Sequence, residues 1–242
     1  MPYACDASSD VISQAGPNLK HSLQYLYQTN GQYTDDRFNP CKGVDYFVKA
    51  EAAGPPGDIG FFKLEGGYSL HTPISEILQS GMKGLTLHAN LQGGIMRTLD
   101  FGGLCRESSN ISDRFFTGGP LSLRGFQPSG IGPRANFGGR SVPRGDALGG
   151  EVYYSSNLSA SIPSPIFTDM GVRWFGFINA GTLSGHQVPL KTFVRSSRIS
   201  VGGGACFASP FGRVELTYAV PLRYGPRDSR KQFQFGFGFS FN

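Results

Sequence analysis

The sequence of 242 residues is poor in charge and in tryptophan, and it has no long apolar run. Charged residues make up only 16% of it. No stretch approaches the ~18 consecutive apolar residues of a membrane helix, so helical spans are excluded. The net charge of +5 comes with no cluster of Lys and Arg, which argues against a nucleic-acid or other polyanion partner. Residues 1–6 lack the basic start and apolar core of a secretory signal, so we expect no standard secretory route.

Residues that carry catalytic or metal-binding chemistry are also few. The four cysteines are scattered without a C-x-x-C pair, and the four histidines lie outside metal or triad spacings. No G-x-S-x-G, P-loop or H-E-x-x-H motif occurs. We therefore expect no enzyme, no cofactor and no metal site. Free thiols in a reducing or mitochondrial setting are a better interpretation of the cysteines than disulfides.

Glycine and phenylalanine are abundant instead, with 35 and 20 residues. Glycine disfavours helices and suits strands whose backbones or rings pack closely. Period-2 alternation of apolar with small or polar residues recurs along the whole chain. It marks about nine segments, at residues 22–28, 44–52, 62–71, 85–92, 152–162, 173–181, 198–207, 213–220 and 232–241.

These segments are long for strands of a soluble sheet, which average about 5–6 residues. Strands of about 9–11 residues, apolar on one face and small or polar on the other, match tilted membrane-spanning strands. A soluble β-sandwich also alternates, but its outer face carries more charge than these Gly, Ser and Gln faces do. The pattern therefore predicts an all-β fold, an antiparallel transmembrane β-barrel.

Alternation stops between the fourth and fifth segments, over residues 103–148. A loop of that length is uncommon in a compact domain and is usually functional when ordered. It contains Arg124 in an apolar, glycine-bounded stretch, and a buried or lumen-facing arginine must be paired. The loop can therefore fold into a barrel lumen around a paired Arg124. An external loop with a solvated arginine is an equal alternative.

The loop sequence resembles a known family. Leu123-Arg124-Gly125-Phe126, preceded by Arg114-Phe115-Phe116-Thr117-Gly118-Gly119 and followed by Ile131-Gly132-Pro133 and Leu148-Gly149-Gly150-Glu151, is similar to the outer-membrane Omp85 superfamily. The form is most like the Sam50-like branch of the mitochondrial sorting and assembly machinery, with the bacterial surface antigen (D15-type) barrel. The resemblance extends through residues 177–181 and 214–218 and covers most of residues 20–242.

The resemblance implies about the last nine strands of a sixteen-stranded barrel. Residues 21–242 would form this partial barrel domain, after an irregular segment at residues 1–20. About seven N-terminal strands and the POTRA domain of the family are not represented. We therefore expect a truncated form.

The resemblance also implies roles for loop residues. Arg124 would anchor the loop on the inner wall, and Leu123, Gly125 and Phe126 complete the motif. Bacterial relatives supply acidic residues on the two following strands, and the corresponding positions here are neutral. The candidate partners of Arg124 are Asn179, Ser159 and Glu151.

The last segment matches a sorting pattern of the family: polar, any, Gly, any, any, apolar, any, apolar. The matching residues are Gln234, Gly236, Phe239 and Phe241. Such a strand is recognised by edge pairing, in which unpaired backbone groups accept it as an additional strand.

The function that the resemblance implies is assembly and insertion of β-barrel proteins in the mitochondrial outer membrane, without covalent chemistry. The chain would be a multi-pass β-barrel there. Its partners would be the lipid bilayer, client β-barrel precursors and other subunits of the sorting and assembly machinery, with no nucleic acid. A passive outer-membrane pore or channel is the alternative.

Overall fold

The computed structural model describes residues 7–15, 18–29, 32–36, 39–74, 84–105, 108–136, 145–166, 171–209 and 212–239. Within them, nine strands form one antiparallel sheet, and each strand pairs with the next along the chain. The strands are β1 Ser22–Gln28, β2 Gly43–Ala53, β3 Phe61–Pro73, β4 Thr86–Thr98, β5 Val152–Pro163, β6 Val172–Ser184, β7 Arg198–Ser209, β8 Gly212–Arg223 and β9 Phe233–Phe239. The all-β fold and the nine strands predicted from alternation are confirmed.

Strands β2 to β8 have the length of membrane-spanning strands, from 11 to 13 residues. Their side chains alternate between two faces. We call the face that carries the loop between β4 and β5 the inner face, and the opposite face the outer face. On β6, Phe175 and Asn179 are buried on the inner face, whereas Trp174 and Ile178 are exposed on the outer face. This division of apolar residues toward the outside is the pattern of a barrel in lipid.

The main core lies between the inner face and the loop. Phe115, Leu123, Phe126 and Ile131 of the loop join one buried cluster with side chains of the strands. Those strand side chains are Ala53, Phe61, Met96, Tyr153 and Leu183. Burial of large apolar side chains contributes about 1.5–3 kcal/mol each, so this cluster holds the loop against the sheet.

Over the residues that the structure describes, the sheet is not closed. β1 pairs with β2 and β9 with β8, and no other described strand pairs with either of them. Every side chain of β1 is exposed. Because unpaired backbone groups cannot remain in the hydrocarbon of a membrane, each edge needs a further strand beside it in lipid.

Within the described ranges, little regular structure lies outside the sheet. Helix α1, Ser9–Ile12, is a single turn within the segment predicted to be irregular, and helix α2, Leu190–Arg195, connects β6 to β7. Among the described residues, no helix is long and apolar enough to cross a membrane. Cys41, Cys105 and Cys206 are free thiols, as expected, and Cys5 lies outside the described residues.

Candidate functional site

The loop between β4 and β5 is the candidate site, and its described parts are ordered against the inner face. A 3₁₀ turn, Ile111–Asp113, begins at Asn110, whose side chain accepts a hydrogen bond from the Ser112 amide. Two short antiparallel bridges, Phe115–Gly150 and Arg134–Ala147, join the outgoing and returning limbs of the loop. The structure therefore places the loop on the inner face rather than in an external position.

Arg124, at the loop tip, forms an ion pair with Glu215 of β8. Its Nη2 donates to Oε1 and Oε2 of Glu215 at 3.0 and 2.8 Å. The guanidinium also lies over the rings of Phe175 and Phe177, 5.4 and 5.0 Å from their centroids. Arg213 provides a second cation, with Nη2 2.8 Å from Oε1 of Glu215. The Glu215 side chain is only 3% exposed, so both arginines compensate a carboxylate that water hardly reaches.

Two of the partners predicted for Arg124 are corrected by this geometry. Asn179 is fully buried, and within the described part of the chain neither polar atom of its side chain has a hydrogen-bond partner. Ser159 lines the same cavity as Arg124, but its hydroxyl accepts from Asn157, at 3.5 Å. A carboxylate forms stronger, charge-assisted bonds with a guanidinium than a neutral amide or hydroxyl does, and Glu215 provides one.

The third predicted partner, Glu151, supports Arg114 through Ser109 and does not bind Arg124. Its Oε1 accepts from the Ser109 hydroxyl at 2.6 Å, and its Oε2 accepts from the backbone amide of His186 at 3.1 Å. The Ser109 hydroxyl in turn accepts from Nε of Arg114 at 2.8 Å. Arg114 also donates to the carbonyls of Ser109 and Leu148. Glu151 therefore fixes the base of the loop and not its tip.

Gly125 permits the close approach of the tip to the wall. Its φ of +91° is a left-handed conformation, and a Cβ here would lie 3.2 Å from Cβ of Ser200 and 3.3 Å from Cβ of Ala219. The Ser200 hydroxyl donates to the carbonyl of Arg124 at 2.6 Å. The pairing of β7 with β8 shifts register between Ile199 and Ser200, so an irregularity of the strand coincides with the contact.

The last strand also contacts the loop tip. Gln234 of β9 is 2% exposed and points to the inner face, where it bonds to the backbone of Gly125 and Phe126. Gly236 lies on the same face, and a Cβ there would meet Cβ of Pro120 at 3.0 Å. Phe239 is the last residue of β9, and Phe241 lies outside the described residues. The role of these four residues as a sorting signal stays a prediction.

A second ion-pair cluster holds the root of the loop. Nζ of Lys20 lies 2.7 Å from Oε1 of Glu51 on β2 and 2.8 Å from Oδ1 of Asp113. Lys63 of β3 donates to the carbonyl of Asp113 at 2.7 Å. Burial opposes the charge on Lys20, but the hydrogen bonds to Asp113 and Glu51 outweigh it and raise the pKa of Lys20. The loop is thus fixed by charge at both its root and its tip.

A cavity of about 310 Å³ lies between the loop tip and the inner face. Its lining includes Arg124, Arg213 and a histidine pair, His71 and His88, whose Nδ1 atoms are 2.8 Å apart. In the part of the chain that the structure describes, no three metal-ligating side chains form a group.

Glu215 and the Lys20–Asp113 pair were missed by the sequence prediction. Glu215 had a detectable signal, because it occupies an inner-face position on a predicted membrane strand. A carboxylate there must be paired or face water. Asp113 and Lys20 had no such signal, since each lies in a segment without periodicity.

The fold and the loop define an incomplete barrel of the outer-membrane type with a loop fixed to its inner wall. Comparison with known families agrees, because the Omp85 superfamily domain matches residues 4–241. The chain therefore belongs to the Omp85 superfamily.

Comparison with individual proteins gives the same result. A SAM50-like protein of Schizosaccharomyces pombe is 32% identical over 245 residues, covering 97% of this chain and 47% of that protein. The human sorting and assembly machinery component 50 homolog is 29% identical over 249 residues, covering 97% and 48%. The crystal structure of BamA from Haemophilus ducreyi lacking POTRA domains 1–3 has a TM-score of 0.72 at 22% identity, covering 88% of this chain and 41% of that one. The chain thus spans about half the length of these curated relatives.

Proposed function

We propose that this chain serves in the folding and membrane insertion of β-barrel proteins in the mitochondrial outer membrane. Membership of the Omp85 superfamily and similarity to sorting and assembly machinery proteins support this proposal. The observation that carries it is the Arg124–Glu215 pair, which fixes the loop motif of the family to β8, beside the strand at the sheet edge.

The mechanism is strand templating. The outer edge of β9 presents backbone N–H and C=O groups that an incoming strand can pair with in antiparallel register. In lipid every such group must form a hydrogen bond. Pairing with a client strand therefore lowers the free energy of both the β9 edge and the edge of the client strand. The loop contributes by holding β8 and β9 in position from the inner face through Glu215 and Gln234. This mechanism needs no covalent step and no nucleotide.

The proposed binding partners are inferred from the two faces of the sheet and from its edges. The outer face presents large apolar side chains such as Leu91, Leu158 and Tyr218, which suit the lipid bilayer. The sheet edges suit client β-barrel precursors. Similarity to components of the sorting and assembly machinery supports other subunits of that machinery as further partners.

A passive channel is a weaker proposal for this chain. Leu123, Phe126 and Ile131 of the loop are almost completely buried against the inner face, where an open channel would need water.

The test is an Arg124→Ala variant assayed in isolated mitochondria. We expect radiolabelled client barrels to assemble several-fold more slowly than with the unaltered protein, while the variant itself resists alkaline extraction as an integral protein should. Lys191→Ala, at an exposed residue of helix α2, is the matched control for removal of a cation.

Normal client assembly with Arg124→Ala would contradict the proposed role of the loop. Ion conductance from the purified protein in planar bilayers, present without clients and unaffected by Arg124→Ala, would favour the channel instead.

A further inference from the structure

Gln234 makes two hydrogen bonds of opposite direction to the loop tip. Its Oε1 accepts from the Gly125 amide at 2.8 Å, and its Nε2 donates to the Phe126 carbonyl at 2.6 Å. Both bonds are buried, and they join residues more than a hundred positions apart in the chain. Gln234 is also the polar position of the predicted sorting pattern, so one side chain belongs to two features of the molecule.

The chemistry of this contact is specific to a carboxamide. A primary amide is a side chain that offers an acceptor and a donor side by side, as a peptide group does. A carboxylate would keep the bond to the Gly125 amide but would face the Phe126 carbonyl without a proton to donate. An apolar side chain would leave the Gly125 amide buried and unpaired, and it would leave the Phe126 carbonyl with the Gly119 amide, at 3.0 Å, as its donor.

Backbone contacts around Gln234 extend the connection between the loop and the β8–β9 hairpin. The Lys231 amide donates to the Gly125 carbonyl at 3.0 Å, and the Gln127 amide donates to the Ser229 carbonyl at 2.8 Å. Together with the bond from the Ser200 hydroxyl to the Arg124 carbonyl, these contacts pair backbone groups of Arg124, Gly125 and Gln127 with residues outside the loop. Gln234 contributes a side chain of β9, the strand at the sheet edge, to these contacts.

We propose that Gln234 is a positioning residue that latches the loop tip onto the last strand. The same bonds bury the carboxamide that an external recogniser of the sorting pattern would have to contact. Docking of the loop and recognition of this strand at Gln234 are therefore mutually exclusive. The loop docks only after the strand has been released, and docking completes the folding of this chain. This proposal rests on the proposed function only where client assembly is measured.

The test compares three changes at one position. Gln234→Asn keeps a polar amide, as the sorting pattern requires, but is shorter by one methylene and cannot make both bonds. Gln234→Leu removes both bonds, and Gln234→Glu removes only the donor. Gln232→Leu, at an exposed residue just before the strand, is the matched control. Hydrogen exchange of residues 119–127 reports docking in the purified protein, and exchange of β3 and β4 reports the rest of the sheet.

We expect Gln234→Asn and Gln234→Leu to speed exchange at the loop tip by about tenfold or more, with β3 and β4 unchanged. Gln234→Glu should have at least as large an effect at neutral pH, because it buries a carboxylate oxygen against the Phe126 carbonyl, and Gln232→Leu should have none. Normal insertion of Gln234→Asn together with an undocked loop separates the latch from the sorting signal. An unchanged tip in both Gln234→Asn and Gln234→Leu would overturn the proposal.

The order of events has its own readout. During import, chains with Gln234→Asn should stay bound to the assembly machinery longer than unaltered chains, because the loop fails to cover the strand. Release at the normal rate would overturn the mutual exclusion. If the tip undocks but clients still assemble normally, the latch stands and the proposed function of the loop fails, so the two failures are distinguishable.

Discussion

Arg124 and Glu215 lie 91 positions apart in the chain and meet through two hydrogen bonds, with Nη2 of the arginine shared between both carboxylate oxygens. Arg213 binds the same carboxylate from within β8. Because the pair is almost enclosed, each partner depends on the other for compensation of its charge. The loop tip is therefore connected directly to the strand next to the sheet edge.

Glu215→Gln should release the loop tip. The change leaves Arg124 and Arg213 with a neutral acceptor in a poorly hydrated site, which we expect to cost about 2–4 kcal/mol of stability. Thermal unfolding in detergent measures the loss, and limited proteolysis shows whether the loop is cut first.

Ser159→Ala is the matched control for this prediction. Ser159 lines the same cavity, but no hydrogen bond joins it to Arg124 in the structure, so its removal should change stability by less than about 0.5 kcal/mol. An effect of Ser159→Ala equal to that of Glu215→Gln would restore the sequence-based partner and contradict the observed one.

The strands could be predicted because their outer and inner faces lie in different surroundings. Phe233 and Phe235 are exposed on the outer face, whereas Gln234 and Gly236 are buried on the inner face, and the sequence shows this contrast as a period-2 alternation. β4 was predicted too short, since Gly93 and Gly94 interrupt its apolar alternation. A Cβ on Gly94 would meet the Phe115 ring at 2.6 Å, so glycine stands there to admit the loop.

The partner of Arg124 was not predictable in the same way. Alternation assigns a residue to a face, but it does not say which of several inner-face positions the loop tip reaches. The resemblance indicated Ser159 and Asn179, on the two strands after the loop, whereas the tip extends across β6 and β7 to Glu215 on β8. That reach depends on the length and path of the loop, which carry no periodic signal.

Gly125→Ala should destabilise the docked tip by about 1–3 kcal/mol, because it adds both backbone strain at positive φ and crowding against the wall. Gly103→Ala separates the two causes. Gly103 has a φ of +82°, but nothing in the described part of the chain lies within 4 Å of the place that its Cβ would take. Thermal unfolding of both variants measures the difference. Equal losses would mean that strain alone acts and that the wall does not crowd the tip.

Glu151→Ala should loosen the base of the loop and leave the tip docked. It removes the acceptor of the Ser109 hydroxyl and of the His186 amide, and with them the support of Arg114. We expect faster hydrogen exchange over residues 109–115, with residues 119–127 unchanged. Undocking of the tip in this variant would mean that Glu151 acts on Arg124 after all.

Because of Lys20, the stability of the contacts at the root of the loop depends on pH in the alkaline range. Its pKa in the folded protein is raised above the ordinary value of 10.5, so the folded state holds the proton more tightly than the unfolded state. The stability that this provides is complete below pH 10.5 and is lost as the pH rises through the folded pKa. The lysine side chain is 34% exposed, and solvent screening limits the contribution to about 1 kcal/mol or less.

Thermal unfolding between about pH 9 and about pH 12 tests this sign. The unaltered protein should lose stability more steeply across that window than Lys20→Met, in which the titrating group is absent. Lys191→Met, at an exposed residue of helix α2, should follow the curve of the unaltered protein. If Lys20→Met falls as steeply as the unaltered protein, the bonds from Lys20 to Asp113 and Glu51 do not hold the root of the loop.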